Sequence, residues 1–276
     1  MIRLNSYNWA TLLAELKQSK GFSAKVSEIV FEEIDSEALK TDGHHRETPV
    51  TFSDAAKYIG EFLEHLFNVD PRFHLKGVTI KGSKKLKEIG GIETAAFKHI
   101  VDRLMTLKLE KLMIWNVDFT NDRSQDTDEN GKKITKARVI SKSFKKKTQA
   151  MGKKCQPLNL RLMDCTFKGD FSFLKIPRKT EESFLQTLTL SECGIEDENI
   201  ESLIDLASRH SSLKTLNLSN NKLTIKSVQI FKDHDNKFEE SIQVFLHSNK
   251  DENDAGINRE KAKEIMKDTE KIVISC

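Results

Sequence analysis

No run in the sequence approaches the ~18 apolar residues of a transmembrane helix. The opening Met1-Ile2-Arg3-Leu4-Asn5 reads as an amphipathic helix without the hydrophobic block of a signal peptide. A membrane span and ordinary secretion are therefore not expected. The expected location is the cytoplasm, or a host cell reached through a non-classical secretion system. Cysteines number four, at 155, 165, 193 and 276, with no CxxC pair and no zinc-like Cys/His spacing, which argues against a disulfide scaffold. A net charge of +3 is too small to name a nucleic-acid partner. The sequence contains no phosphate-binding glycine loop, no GxSxG elbow and no HExxH. No enzymatic activity, cofactor or metal is expected; the adjacent His44 and His45 lack a third ligand and read as solvated.

What is present is repetition. Leu185, Leu188, Leu190, Cys193 and Ile195 recur 28 residues later as Leu213, Leu216, Leu218, Asn221 and Leu223. The same period reaches forward to Val244, Leu246 and Asn249, then to Ile272 and Ile274, and backward to Leu160, Leu162, Cys165 and Phe167. Upstream the pattern loosens to Leu109, Leu112, Ile114, Val117 and Phe119, then Leu75, Val78 and Ile80, with Val26, Ile29, Phe31 and Ile34 as an earlier strand. Spacings of 34 (78 to 112) and 48 (112 to 160) require looped-out insertions. After each turn the apolar residues switch to helical spacing, as in Ile200, Leu203, Ile204 and Ala207, then Val228 and Phe231.

This pattern resembles the leucine-rich repeat family, LxxLxLxxN/C, and its period is most similar to the subfamily that includes ribonuclease inhibitor. The resemblance implies an α/β fold, a leucine-rich repeat solenoid or horseshoe with a concave parallel sheet and convex helices, over 1–276 as a single domain. Asn or Cys at the turn is expected to point inward and satisfy backbone groups. Residues 1–25 are read as a helical cap, with Trp9, Leu12, Leu13 and Leu16 on one face, and Thr51 to Phe67 as a further helix. Cys165 and Cys193 then have structural roles, and Cys276 is expected to be solvent-exposed.

Strand residues between the motif leucines should face away from the core. This brings Met113, Trp115, Arg161 and Met163 together on the concave face, beside Asn116 and Asp164, with Phe245 and His247 further along. Exposed Trp, Met and Arg are the residues of protein-interface hot spots. A protein partner on the concave face is the resulting expectation, with the free chain a monomer; the alternative is that the insertion folds back over these residues.

That insertion, 121–154, begins polar and acidic; Lys132 to Lys154 then holds ten Lys or Arg residues and no Asp or Glu. Three readings stand: a solvated segment, a contact for an acidic protein, or an RNA or anionic-membrane surface, the nucleic-acid reading weakened by the shortage of stacking aromatics. The chain also resembles the leucine-rich repeat effectors that Legionella and similar intracellular bacteria inject into host cells, which implies a binder that blocks a host protein. An adaptor or substrate receptor is the other class, although no F-box-like segment precedes the repeats. Glu264, Asp268 and Glu270 ahead of Ile272 to Ile274 suit either a translocation signal or a final repeat.

Overall fold

The computed structural model describes residues 2–4, 27–34, 76–82, 104, 109–116, 158–166, 171, 184–250 and 256–276. Residues 5–25 of the expected helical cap, the expected helix at 51–67, His44 and His45, the 121–154 insertion and Cys155 lie outside the described residues. The chain divides into two compact units, one formed by 1–104 with 116–154 and the other by 105–115 with 155–276.

In the first unit, β1 (Ile2–Leu4), β2 (Glu28–Ile34) and β3 (Gly77–Gly82) pair in parallel. Ile29, Phe31, Val78 and Ile80 are almost fully buried at alternate positions, as the period of a strand dictates, and Val30 between the first two is buried to a lesser degree. Ile2 to Leu4 were expected to open a helix and instead form a strand, with Ile2 opposite Ile29 and Leu4 opposite Phe31. The reason is period two: Ile2-x-Leu4 repeats Ile29-x-Phe31 at an offset of 27, and pairing with β2 satisfies main-chain groups that a short helix start leaves open.

The second unit is an α/β solenoid. Its strands β4 (Lys111–Trp115), β5 (Asn159–Met163), β6 (Thr187–Ser191), β7 (Thr215–Asn217), β8 (Ile242–Phe245) and β9 (Ile272–Ser275) run parallel in sequence order. From Leu112 and Ile114 to Val244 and Leu246 the motif residues are buried, as are Leu203 and Ile204 of α1 (Ile200–Ala207) and Val228 and Phe231 of α2 (Ile225–Asp233). The expected helical periodicity is thus observed. A shorter helix, α3 (Arg259–Ile265), precedes β9 and includes Glu264. Residues 264–275 therefore build the last repeat.

The last period differs from expectation. Val244 pairs with Ile274, not Ile272, and Phe245 with Ser275. Nine residues separate Asn249 from the cap Asn258, against three from Asn221 to Thr224, and the longer segment is tied by a Lys250–Gly256 bridge. Because the slip is two residues, each side chain keeps its face. The Asp235 carboxylate anchors this register by accepting the N–H groups of Glu270, Lys271 and Ile272 at 3.0, 3.0 and 2.7 Å.

The turns are held by a ladder of side chains at the Asn/Cys position. Asn221 Oδ1 accepts from Cys193 N and Ile195 N at 2.9 and 3.2 Å, and its Nδ2 donates to Leu190 O and Leu218 O at 2.7 and 2.9 Å. Asn249 repeats this, accepting from Asn221 N and Leu223 N and donating to Leu218 O and Leu246 O. Cys193 Sγ donates to Leu162 O and Ser191 O, and Cys165 Sγ to Ile114 O and Met163 O. A thiol supplies only the donor half of what an amide supplies.

A second bridge between repeats centres on Asp197, which accepts from Thr224 N at 2.9 Å, Thr224 Oγ1 at 2.5 Å and Ser227 Oγ, at the start of α2. Desolvation raises its pKa, but hydrogen bonds from Ser227 and Thr224 outweigh that and hold the carboxyl below its ordinary value. Substituting Asp197→Ala strands these donors and is expected to cost about 2 kcal/mol in chemical denaturation. Since the folded pKa is depressed, the wild-type advantage is complete above the ordinary carboxylate range and disappears as pH falls through the folded value.

Candidate functional site

The sheet face opposite the helices carries the residues between the motif leucines. Parallel pairing sets Met113 beside Arg161 and Trp115 beside Met163, on strands about 4.8 Å apart. Trp115 is 36% exposed, Arg161 is exposed, and Met113 and Met163 are half-buried. These four expected site residues form one contiguous patch.

Phe245 and His247 form a separate patch on and just after β8, with ring centroids 5.8 Å apart. Ser275 Oγ lies 3.3 Å from His247 Nε2, so the β8–β9 pairing fixes the imidazole from one side. Three strand spacings, about 14 Å, separate β5 from β8. The two patches are therefore walls of a trough and not one cluster.

Between the walls, Thr189 and Ser191 of β6 are 8% and 6% exposed although their positions face away from the core. Short side chains sink below longer neighbours here, and Asn220 Nδ2 reaches over to Ser191 Oγ at 3.3 Å. A rule based on alternation alone misses this, because it ranks direction and not length.

Asn116 and Asp164 have backbone roles. They adopt positive φ, 56° and 50°, as do Glu192, Asn220 and Ser248 at 58°, 59° and 56°. Each lies two residues beyond the third motif apolar position, Ile114, Leu162, Leu190, Leu218 and Leu246 in turn, where the chain turns off the sheet. Asn and Asp tolerate this left-handed conformation better than other non-glycine residues, so both suit the turn.

Cys165 and Cys193 are buried as hydrogen-bonded thiols in the ladder, the structural role expected of them. Cys276 was expected to be exposed and is half-buried; burial pushes its thiol pKa up against the opposing influence of Arg259. Among the described residues, no group of three or more His, Cys, Asp and Glu is placed to hold a metal, and no helix is long and apolar enough to cross a membrane.

With the ladder, the parallel strands and the alternating helices in place, family comparison gives one result. The family model for Leucine Rich Repeat matches residues 212–233. This leucine-rich repeat spans β7, the Asn221 turn and all of α2. No curated protein matches the chain. The second unit is thus an α/β leucine-rich repeat solenoid, and leucine-rich repeats generally mediate protein–protein interaction. Repeats of this kind keep the buried scaffold constant while the positions between the leucines vary, and those variable positions are where Met113, Trp115, Arg161 and Met163 stand.

Proposed function

We propose that this chain is a protein-binding module whose partner docks on the open sheet face of the second unit, anchored at Trp115, Met113, Arg161 and Met163. The observation that carries the reading is the direct pairing of Met113 with Arg161 and Trp115 with Met163, which masses an exposed indole and a guanidinium on adjacent strands. Such an array offers a large apolar area with few side-chain torsions, and a planar cation able to take a carboxylate in bidentate fashion. The open-face strand positions of β4 and β5 include the cations Lys111 and Arg161 and no carboxylate, so the complementary partner surface is apolar with an acidic group. Phe245 and His247 supply a second contact across the trough. The resemblance to injected bacterial repeats and to ribonuclease-inhibitor-like repeats extends this proposal to a host protein as partner and its blockade as the outcome.

The test is affinity capture from host-cell and bacterial lysates with wild type and with Trp115→Ala/Arg161→Ala, both verified as folded by circular dichroism. The double variant is expected to bind the captured protein with at least about thirtyfold lower affinity, corresponding to roughly 2 kcal/mol at two anchors. Unchanged capture would move the binding site off this face.

A further inference from the structure

The trough between the two walls has β6 and β7 as its floor, and its width, its hydrogen bonding and its charge each restrict what can lie in it. Resting on the reading of this face as the docking surface, we propose that the partner inserts an α-helix of about three turns here, antiparallel to the strands and with a carboxylate towards Arg161.

Width comes first. β5 and β8 stand three strand spacings apart, about 14 Å, with Arg161 and Met163 on one side and Phe245 and His247 on or just after the other. A helix with its side chains is about 10–12 Å across and reaches both walls, whereas a single strand fills about 4.8 Å and reaches only one. The open-face positions of the floor strands are Thr187, Thr189, Ser191, Thr215 and Asn217, all short and uncharged. Over its five residues β6 rises about 17 Å, the length of a helix of about eleven residues.

Hydrogen bonding disfavours the extended alternatives. β6 pairs with both β5 and β7, and β7 with both β6 and β8, so the floor's ladder bonds are used within the sheet. The pairing continues past the strands, where Ser191 O accepts from Asp164 N and Asn220 O from Glu192 N, at 2.9 and 3.1 Å. Two floor side chains are engaged as well: Asn217 Oδ1 accepts from Ser219 N at 3.0 Å, and Ser191 Oγ from Asn220 Nδ2 at 3.3 Å. An extended segment pressed onto this floor buries main-chain groups that find no ladder to join, a cost that a helix, with its main chain bonded internally, does not bear. A hairpin bonds only its inner groups and turns the outer ones towards the apolar side chains of Met163 and Phe245.

Charge sets the orientation. Exposed Lys214 immediately precedes β7 and exposed Glu192 immediately follows β6, so the floor runs from a cation to a carboxylate in the strand direction. A helix is favoured with its N-terminal end beside a carboxylate and its C-terminal end beside a cation, which places it antiparallel to the strands. Arg161 is the middle residue of β5, so the carboxylate that meets it lies near the middle of the helix.

The experiment is fluorescence anisotropy on the full chain with a capped, fluorescein-labelled, hydrocarbon-stapled helix of about twelve residues, carrying Ala towards the floor, Leu on both flanks and a central Glu. Saturable binding is expected, weakened about tenfold or more by Asn217→Trp and by Thr215→Trp, each of which fills the floor, and unchanged by Glu201→Lys on α1. Both floor variants are verified as folded by circular dichroism. The charge swap Lys214→Glu/Glu192→Lys is expected to weaken binding about fivefold, and an unaffected swap overturns the antiparallel orientation. Loss from Trp115→Ala/Arg161→Ala with unchanged binding to both floor variants overturns the helical occupant alone, whereas unchanged binding to all three overturns the docking face with it. The helix is also overturned by absence of saturable binding, or by equal affinity for an unstapled peptide of the same sequence with two central prolines.

Discussion

Replacing Asn221 with Ala is expected to lower the stability of the second unit by about 3–5 kcal/mol, more than any exposed-face substitution. The amide is 6% exposed and serves four buried main-chain groups in two repeats: Cys193 N, Ile195 N, Leu190 O and Leu218 O. Truncation leaves these groups without the side chain that replaced water, and each buried orphan costs about 1–3 kcal/mol before relaxation. Urea denaturation followed by circular dichroism reads the loss directly. Asn221→Cys provides a calibration, because a thiol can still donate to carbonyls, as Cys193 donates to Leu162 O and Ser191 O, but accepts poorly from Cys193 N. It should fall between wild type and Ala. Equal stability of all three would mean that water enters the turn and the ladder is dispensable.

The same ladder explains how much could be read before any coordinates. Leu188, Leu216 and Val244 recur at one interval because each must enter the same slot, so a repeated burial demand leaves a repeated letter. The helices were legible for the same reason, through Leu203, Ile204, Val228 and Phe231. Ile272 and Ile274 preserved the apolar alternation while the longer Asn249–Asn258 segment shifted their register by two, and a shift of two is silent in a pattern of period two. Ile2 and Leu4 were too few to separate strand from helix without their partners Ile29 and Phe31.

Of the candidate site, the adjacency of Met113 to Arg161 and Trp115 to Met163 followed from register and is present. The distance from this patch to Phe245 and His247 depended on strand count, which a list of equivalent positions does not weigh. Asn116 and Asp164 were placed beside the site because they adjoin its residues in sequence, and their positive φ shows that they also make the turn there.

Acidification should expose a weakness at the end of α1. His210 is 3% exposed, at a turn where its N–H donates to Ala207 O and its C=O accepts from Leu213 N, at 3.0 and 2.9 Å. Burial pushes its pKa down from 6.5 to about 4 by penalising the imidazolium. The unfolded chain takes up this proton at higher pH than the folded one, so the neutral histidine's contribution is intact above 6.5 and is lost as pH falls from there towards 4. The expected loss is about 2 kcal/mol by pH 5 and about 3 kcal/mol by pH 4. Carboxylates also begin to titrate near the lower limit, so the quantity to measure is the difference between wild type and His210→Leu across the series. That variant removes the titrating group while keeping apolar bulk, and its advantage over wild type should grow steadily between pH 6.5 and 4. A constant difference would mean that the imidazole is hydrated in the folded chain, which would require the turn between α1 and β7 to open to water at a cost the buried neighbours Ala207 and Leu213 would share.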